Sequence, residues 1–480
     1  MTRNIGAFFW TVSDKIGIQL FSFVIGLFLA RLLTPFDYGV VGLSTIFIAL
    51  TDMLIESGFS NALIRKKDRS HTDLSTAFIF NVSLSLILYV FLFFLSPYIA
   101  NFFDTPVLSP VLRIVSINVV VNSLCVVQNA VFLAEFRLKI LTIINFVSLF
   151  PSSAVALYLA FYGYGVYALV MQSVIAGVIR LVLLWYFAKW RPSLVFSNQS
   201  FAYLWGFGSK LILTRFIGIC FNKVNTFIIG KYIGKTDLGY YSKAESLSSQ
   251  PDTVISGVIT KAVVPILSEC QDNKSELLTL FRKYSRVLLL ILCYICGVLF
   301  LIARPLIVLL WTTKWIDTII LFRILLLASI FSPLSALNLI LLQVLNRTGT
   351  SLKLEIIKKI LYLPVIFVGA LYGLIGLAFS QIIISIIAFL VNSSVSKKFI
   401  NYSYLKQFSD VLSYIIPMIV AILLLFVLVN TWISNNILSI VVGTMLYSFL
   451  FFSYLYIIKD HIFIEYSKMA FVKFNKMLNR

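Results

Sequence analysis

The feature that most limits what this chain can become is the return, again and again, of long apolar runs. About fourteen of them lie near 5–30, 38–60, 75–100, 107–133, 141–161, 165–188, 204–230, 238–267, 284–304, 318–345, 354–373, 374–396, 410–430 and 437–458. A helix rising about 1.5 Å per residue needs about twenty such residues to cross a hydrocarbon core about 30 Å thick. No water is there to satisfy the backbone, so unbroken runs of this length select helices whose hydrogen bonds close on themselves. The composition agrees: 60% hydrophobic and 12% charged residues, against about 25% charged in a soluble domain. The chain therefore reads as an all-α polytopic membrane protein. Its first run is too long for a cleaved signal sequence and no small-residue cleavage site follows it.

The formal charge is +20, which in a soluble protein would point to nucleic acid. Here the cations sort by topology. One set of alternating loops carries Arg65, Lys66, Lys67 and Arg69, then Arg137 and Lys139, then Lys189 and Arg191, and continues so to Lys397, Lys398 and Lys406. The opposite loops hold only Arg31, Lys231, Lys235, Arg304 and Lys314. Basic residues collect in cytoplasmic loops, so both termini are expected in the cytoplasm and no nucleic-acid partner is needed.

An internal repeat runs beneath the spans. LARLLTPFDYG at 29–39 aligns with IGKYIGKTDLG at 229–239, so Asp37 and Gly39 recur at Asp237 and Gly239, and Asp52 at Asp252. Further along the offset becomes 210: Arg113 falls on Arg323, Arg137 on Arg347 and Gly163 on Gly373, while Pro97 and Pro305 sit at matching span ends. Six spans per half give both halves the same orientation, a parallel repeat about an axis along the membrane normal. The expected division is an N-terminal six-helix lobe over 1–195, a second over 196–400, two additional transmembrane helices over 401–458 and a basic amphipathic cytoplasmic tail over 459–480.

Polar residues at membrane depth are costly and mark function or pairing. The seventh span carries Lys210, Arg215 and Lys223, and at 100° per residue Arg215, Asn222, Lys223 and Thr226 share one stripe. In the first span Thr11, Lys15, Gln19, Ser22 and Gly26 form another, with Asp14 beside Lys15. Lys15, Gln19, Arg215, Asn222 and Lys223 are the candidate lining of a cavity for an anion; the alternative is that these cations only balance acids on neighbouring helices. Thr45, Asp52 and Glu56 share a face of span 2, and Glu245, Ser249, Asp252 and Ser256 a face of span 8, where Pro251 removes a helix bond and is the candidate kink and gate. Asp14, Asp52, Glu56, Glu245 and Asp252 are the candidates for ion coupling or charge pairing. Arg113 and Arg323 are expected to reach the outer interface, and Arg180 to be paired or to reach one.

Nothing here reads as catalysis or metal binding. Walker A, Gly-x-Ser-x-Gly and His-Glu-x-x-His patterns are missing, the two histidines His71 and His461 lie at span ends, and Cys293 and Cys296 sit inside an apolar run. No metal, no cofactor and no enzymatic activity are expected.

The stretches KIGIQLFSFVIGLFLARLLTPFDYGVVGLSTIF, ESGFSNALIRKKD and KTDLGYYSKAESL resemble the Wzx-type lipopolysaccharide and exopolysaccharide flippases, in particular their WzxC-like branch, of the multidrug/oligosaccharidyl-lipid/polysaccharide exporter superfamily. The likeness covers roughly residues 1–400. It implies a MATE-like bundle of two pseudo-symmetric six-helix lobes plus two helices in the bacterial inner membrane. It also implies translocation of undecaprenyl-diphosphate-linked oligosaccharide by alternating access. Membrane lipids are partners, and a polysaccharide polymerase and a chain-length regulator are candidate ones. The rival readings are a MATE-like multidrug or metabolite cation antiporter and, from another class, a membrane glycan polymerase, ligase or assembly scaffold. The outer loops, about a dozen residues at most, argue against a polymerase.

Overall fold

The structure is a computed structural model that describes residues 17–19, 21–56, 59–66, 68–259 and 263–468. Thr11, Asp14 and Lys15 therefore lie outside the described residues, as do the side chains of Glu56 and Lys210 and the tail beyond residue 468.

The described chain is helical. The first unit, Met1–Gly239, holds α1 Gly17–Leu32, α2 Pro35–Glu56, α3 Phe59–Arg65, α4 His71–Phe102, α5 Leu108–Val115, α6 Ile117–Ala134, α7 Leu138–Phe161, α8 Val166–Phe187 and α9 Asn198–Ile228. A π-turn over Ile229–Ile233 leads into α10 Lys235–Ser248. The second unit, Tyr240–Arg480, continues through α11 Gln250–Val258, α12 Val264–Glu269, α13 Lys274–Leu301, α14 Ala303–Trp311, α15 Thr318–Ser329, α16 Ser332–Val344, α17 Thr348–Leu371, α18 Gly373–Ile400, α19 Tyr404–Val427 and α20 Asn436–Ile457. Residues 461–468 form one more helical stretch.

Ten helices among the described residues are long and apolar enough to cross a membrane, which makes the chain a multi-pass membrane protein. They coincide with the expected second to sixth, ninth, tenth and twelfth to fourteenth spans. The other expected spans correspond to α1, α9, the interrupted run α10–α12, and α17. Within the described residues α1 is an apolar helix too short to span, the α10–α12 run is broken at Ser249, and α17 carries Lys353, Glu355, Lys358 and Lys359 along its first half.

The sequence repeat has a backbone counterpart. α2 starts at Pro35 and α10 at Lys235, and each holds its aspartate, Asp37 or Asp237, in the first turn, where an anion suits the helix dipole. Arg137 and Arg347 are the N-caps of α7 and α17, each 24 residues long. Phe136 and Asn346 before them both take positive φ, 56° and 54°. Gly163 and Gly373, at the turns after α7 and α17, have φ of 80° and 70°, a region glycine enters freely.

Within the first unit Gly39 and Gly239 make a reciprocal crossing. A Cβ on Gly39 would overlap the Lys235 carbonyl oxygen, and one on Gly239 would overlap that of Pro35. Only glycine permits that approach. At the opposite end of these helices, Leu74, Ala77, Val127 and Ala130 bury the contact of α4 with α6, joined there by Leu204 of α9. Ser85 and Ser123 hydrogen-bond across the α4–α6 contact at 2.8 Å. In the second unit Leu277, Phe281, Leu288 and Leu292 of α13 pack with Leu337 and Leu341 of α16, and Asn392 of α18 donates to Ser335 Oγ at 2.6 Å. Small and polar residues at such contacts are the glue expected where lipid offers no hydrophobic contrast. Cys293 and Cys296 are buried free thiols in this packing.

Candidate functional site

The seventh expected span is a helix that runs without a break to the π-turn. Ser197 caps α9 by accepting from the Ser200 amide. Its C-terminal half is seated on α2 and on the end of α4. A Cβ at Gly230 would collide with the Leu43 side chain, and Phe227 packs edge-on against Phe103 at 5.5 Å. This seating is why the boundary between the units falls at Gly239, whereas the boundary expected from the sequence repeat lies between 195 and 196.

It also brings together two residues of different stripes. The Lys223 ammonium donates to Thr45 Oγ1 of α2 at 3.0 Å. Both are partly buried, and among the described residues no carboxylate stands within ion-pair distance of Lys223. A cation whose partner is a neutral hydroxyl keeps its charge available, and in a low-dielectric setting that charge acts strongly on an anion. Arg215 is partly buried two turns earlier on α9, and Asn222 is exposed. Gln19 is exposed on α1. Lys15 and Asp14, which complete the stripe of the first span, lie outside the described residues.

Two of the acids have found partners that the sequence pattern alone does not assign. Asp52 accepts from Asn122 Nδ2 of α6 at 3.2 Å. Asp252 accepts from Ser332 Oγ at the start of α16 at 2.8 Å and from Ser256 Oγ at 3.0 Å. Asn122 and Ser332 are themselves related by the offset of 210, so the same acid-to-neutral-donor contact occurs once in each unit. The signal was present: applying the repeat offset to the polar residues of span 4, as well as to its charges, pairs these positions. Glu245 is exposed on α10, and Glu56 ends α2 with its side chain outside the described residues. Pro251 is buried in the first turn of α11, immediately after the helical run breaks at Ser249, a position where its missing N–H costs nothing.

The arginines of the expected fourth, sixth and tenth spans have local partners, although Arg180 Nε is buried without one. Arg180 donates to Asn129 Oδ1 at 3.3 Å. Arg113 folds back to the Phe93 carbonyl and to Ser96 Oγ, with its guanidinium 4.5 Å from the Phe93 ring centre. Arg323 donates to the Phe300 carbonyl at 3.1 Å and to Asn430 Oδ1 at 2.7 Å. Tyr241 is 1% exposed and Tyr240 packs edge-on against Trp315 at 6.1 Å, so this pair serves packing.

Comparison with known proteins places this arrangement. Residues 28–320 match the family described as polysaccharide biosynthesis protein. The chain is 25% identical to the lipopolysaccharide biosynthesis protein WzxC of Escherichia coli (strain K12), over 79% of this chain and 78% of that protein. It is 24% identical to the succinoglycan biosynthesis transport protein ExoT of Rhizobium meliloti (strain 1021), over 66% of this chain and 63% of that protein. The fold is similar to that of the lipid II flippase MurJ in an inward closed conformation, with a TM-score of 0.71 at 14% identity, covering 93% of this chain and 99% of that one. With more than half of its length matched, the chain belongs to the polysaccharide biosynthesis protein family.

Proposed function

We propose that this protein is a flippase that moves undecaprenyl-diphosphate-linked oligosaccharide repeat units across the bacterial inner membrane for O-antigen, exopolysaccharide or capsule assembly. The observation that carries the reading is Lys223, an intramembrane ammonium held by the hydroxyl of Thr45. A diphosphate needs cations that are not already spent on carboxylates, and a point charge of this kind is a common phosphate ligand. Family membership and relatives named for polysaccharide biosynthesis and transport support it. A pump for cationic drugs would need the opposite sign at this place.

In this reading Lys15, Gln19, Arg215, Asn222 and Lys223 line the path of the headgroup, the polyprenyl tail stays in lipid, and two lobes over 1–195 and 196–400 alternate in access about the break at Pro251. Asp52 and Asp252, each with a neutral donor, are the best-placed of the coupling candidates, with Asp14, Glu56 and Glu245 as the others. Both termini face the cytoplasm, the tail from 459 to 480 lies on the inner leaflet, and a polysaccharide polymerase and a chain-length regulator receive the product. The test is complementation of a strain lacking its flippase. Arg215→Ala and Lys223→Ala are expected to abolish surface polymer at normal protein level; unchanged polymer with both variants overturns the reading.

A further inference from the structure

The basic loops of the second unit end in a built cavity that the transport path does not use. About 360 Å³ in volume, it lies between the first turns of α13, the start of α19 and the helical stretch over 461–468. Arg282, Lys283, Arg286, Lys406, Tyr402 and Ile462 are among its lining residues. No acidic side chain is among them. The acids stand behind: Asp410 and Asp460 are only 4% and 5% exposed. Asp410 takes Arg282 through Nε and Nη2 at 2.7 and 2.8 Å, and Asp460 takes Arg286. Tyr402 donates its hydroxyl to Asp410 as well. The buried carboxylates thus fix the guanidinium planes from the inside. Arg282 keeps 45% of its side chain exposed on the cavity side, with Nη1 outside the Asp410 contact. Lys283 is held at the rim by Glu465 at 2.7 Å. Lys406 is exposed, and among the described residues it has no carboxylate within ion-pair distance.

Depth favours one occupant. α13 and α19 turn from these basic residues to apolar ones at Val287 and Val411, so the cavity sits where a headgroup meets acyl chains. Leu405 and Phe408 beside it are 83% and 52% exposed, a surface that suits a lipid tail.

We infer that this cavity binds the phosphate of an anionic phospholipid of the leaflet on the basic face, with Arg282 and Lys406 as its principal ligands. A fixed guanidinium fork and a mobile ammonium on a basic surface form a recognised lipid-headgroup chemistry. The site is separate from the α9 stripe and stands whether or not the transport reading does.

The experiment uses the full chain in nanodiscs of phosphatidylcholine with or without phosphatidylglycerol, and counts retained lipid by native mass spectrometry. The wild type is expected to retain phosphatidylglycerol preferentially. Lys283→Gln with Lys406→Gln, which leaves both buried aspartates paired, is expected to lower retention by about fivefold for each cation removed with the unfolding temperature unchanged. Arg282→Lys, which keeps a charge opposite Asp410 but loses the planar fork, is expected to lower it about fivefold and covers the case in which the double variant does not fold. Equal retention in wild type and variants, equal retention of phosphatidylcholine, or displacement by inorganic phosphate alone overturns the proposal, the last by making this a free-anion site.

Discussion

The two units solve one problem in two ways. In the first, Pro97 inside α4 has no N–H to give the Phe93 carbonyl four residues back, and Arg113 supplies a donor in its place, with Ser96 as a second. In the second unit Pro305 leaves the Leu301 carbonyl without its donor, and Asn430, just beyond α19, supplies one at 3.2 Å. Arg323, the repeat partner of Arg113, then joins the Phe300 carbonyl to the Asn430 amide. The arginine is the same; its partner differs. The difference lies at the end of α19, which docks through an amide that completes a proline-interrupted helix end, a strong anchor where no water competes. Lys223 contrasts with both. The offset of 200 puts Phe23 in its place in the first repeat, so this charge does not recur. The recurrent arginines Arg113 and Arg323 serve the scaffold, and Lys223, a charge without a counterpart, is the one on which the proposed function most depends.

Removing the two arginines is the sharpest way to test that contrast. Arg323→Met leaves Asn430 Oδ1 without its donor and removes a donor from the Phe300 carbonyl, and is expected to cost about 3 kcal/mol, whereas Arg113→Met, with Ser96 still donating, is expected to cost about 1 kcal/mol. Unfolding of the purified protein in mixed micelles reads both, and equal losses would mean that α19 gains nothing from the anchor. Next in size is the glycine crossing. Because Gly39 and Gly239 each face the other segment's carbonyl with no room for a Cβ between them, Gly39→Ala and Gly239→Ala are expected to destabilise about equally, by roughly 2 kcal/mol each. A large inequality would show that the contact is not reciprocal.

How far the sequence carried these conclusions differs by level. The helices were legible as apolar runs, and the repeat as a near-constant offset of 200 and then 210, because both are properties of the chain alone. The partners were not. Lys223 and Thr45 each belong to a stripe, but which stripe meets which depends on how α9 seats on α2. In a membrane the outward face is as apolar as the packed one, so pattern does not mark the contact side. Arg113 and Arg323 read as residues reaching for the interface; the Phe93 carbonyl freed by Pro97 holds the first, and the Phe300 carbonyl with Asn430 Oδ1 the second. Pro251 reads as a kink inside a span and is the first turn of a new helix. Lys15 and Asp14 lie outside the described residues, so the first-span half of the proposed cavity rests on its spacing.

The smallest expected effect lies just beyond the end of α4 in the first unit. Lys231, at the repeat position of Arg31, donates to Asp104 at 2.9 Å. That hydrogen bond, with the charge of Lys231, holds the Asp104 carboxyl below its ordinary value of 3.8. A depressed carboxyl stabilises the fold above its unfolded value and loses that effect as pH falls through the folded one. Asp104→Asn should therefore leave stability at pH 7 nearly unchanged, the pair being exposed, and should flatten only the acid limb below about pH 4. A marked loss at neutral pH would show a structural role that exposure does not suggest.

The most direct test of the central claim is the affinity of the full chain, in nanodiscs, for undecaprenyl diphosphate. Wild type, Lys223→Gln and Thr45→Ala would be compared. Loss of one charge-assisted contact to a phosphate, about 2 kcal/mol, predicts roughly thirtyfold weaker binding for Lys223→Gln, with Thr45→Ala changed only a few-fold. Equal affinity of wild type and Lys223→Gln, in protein of unaltered stability, would contradict the account.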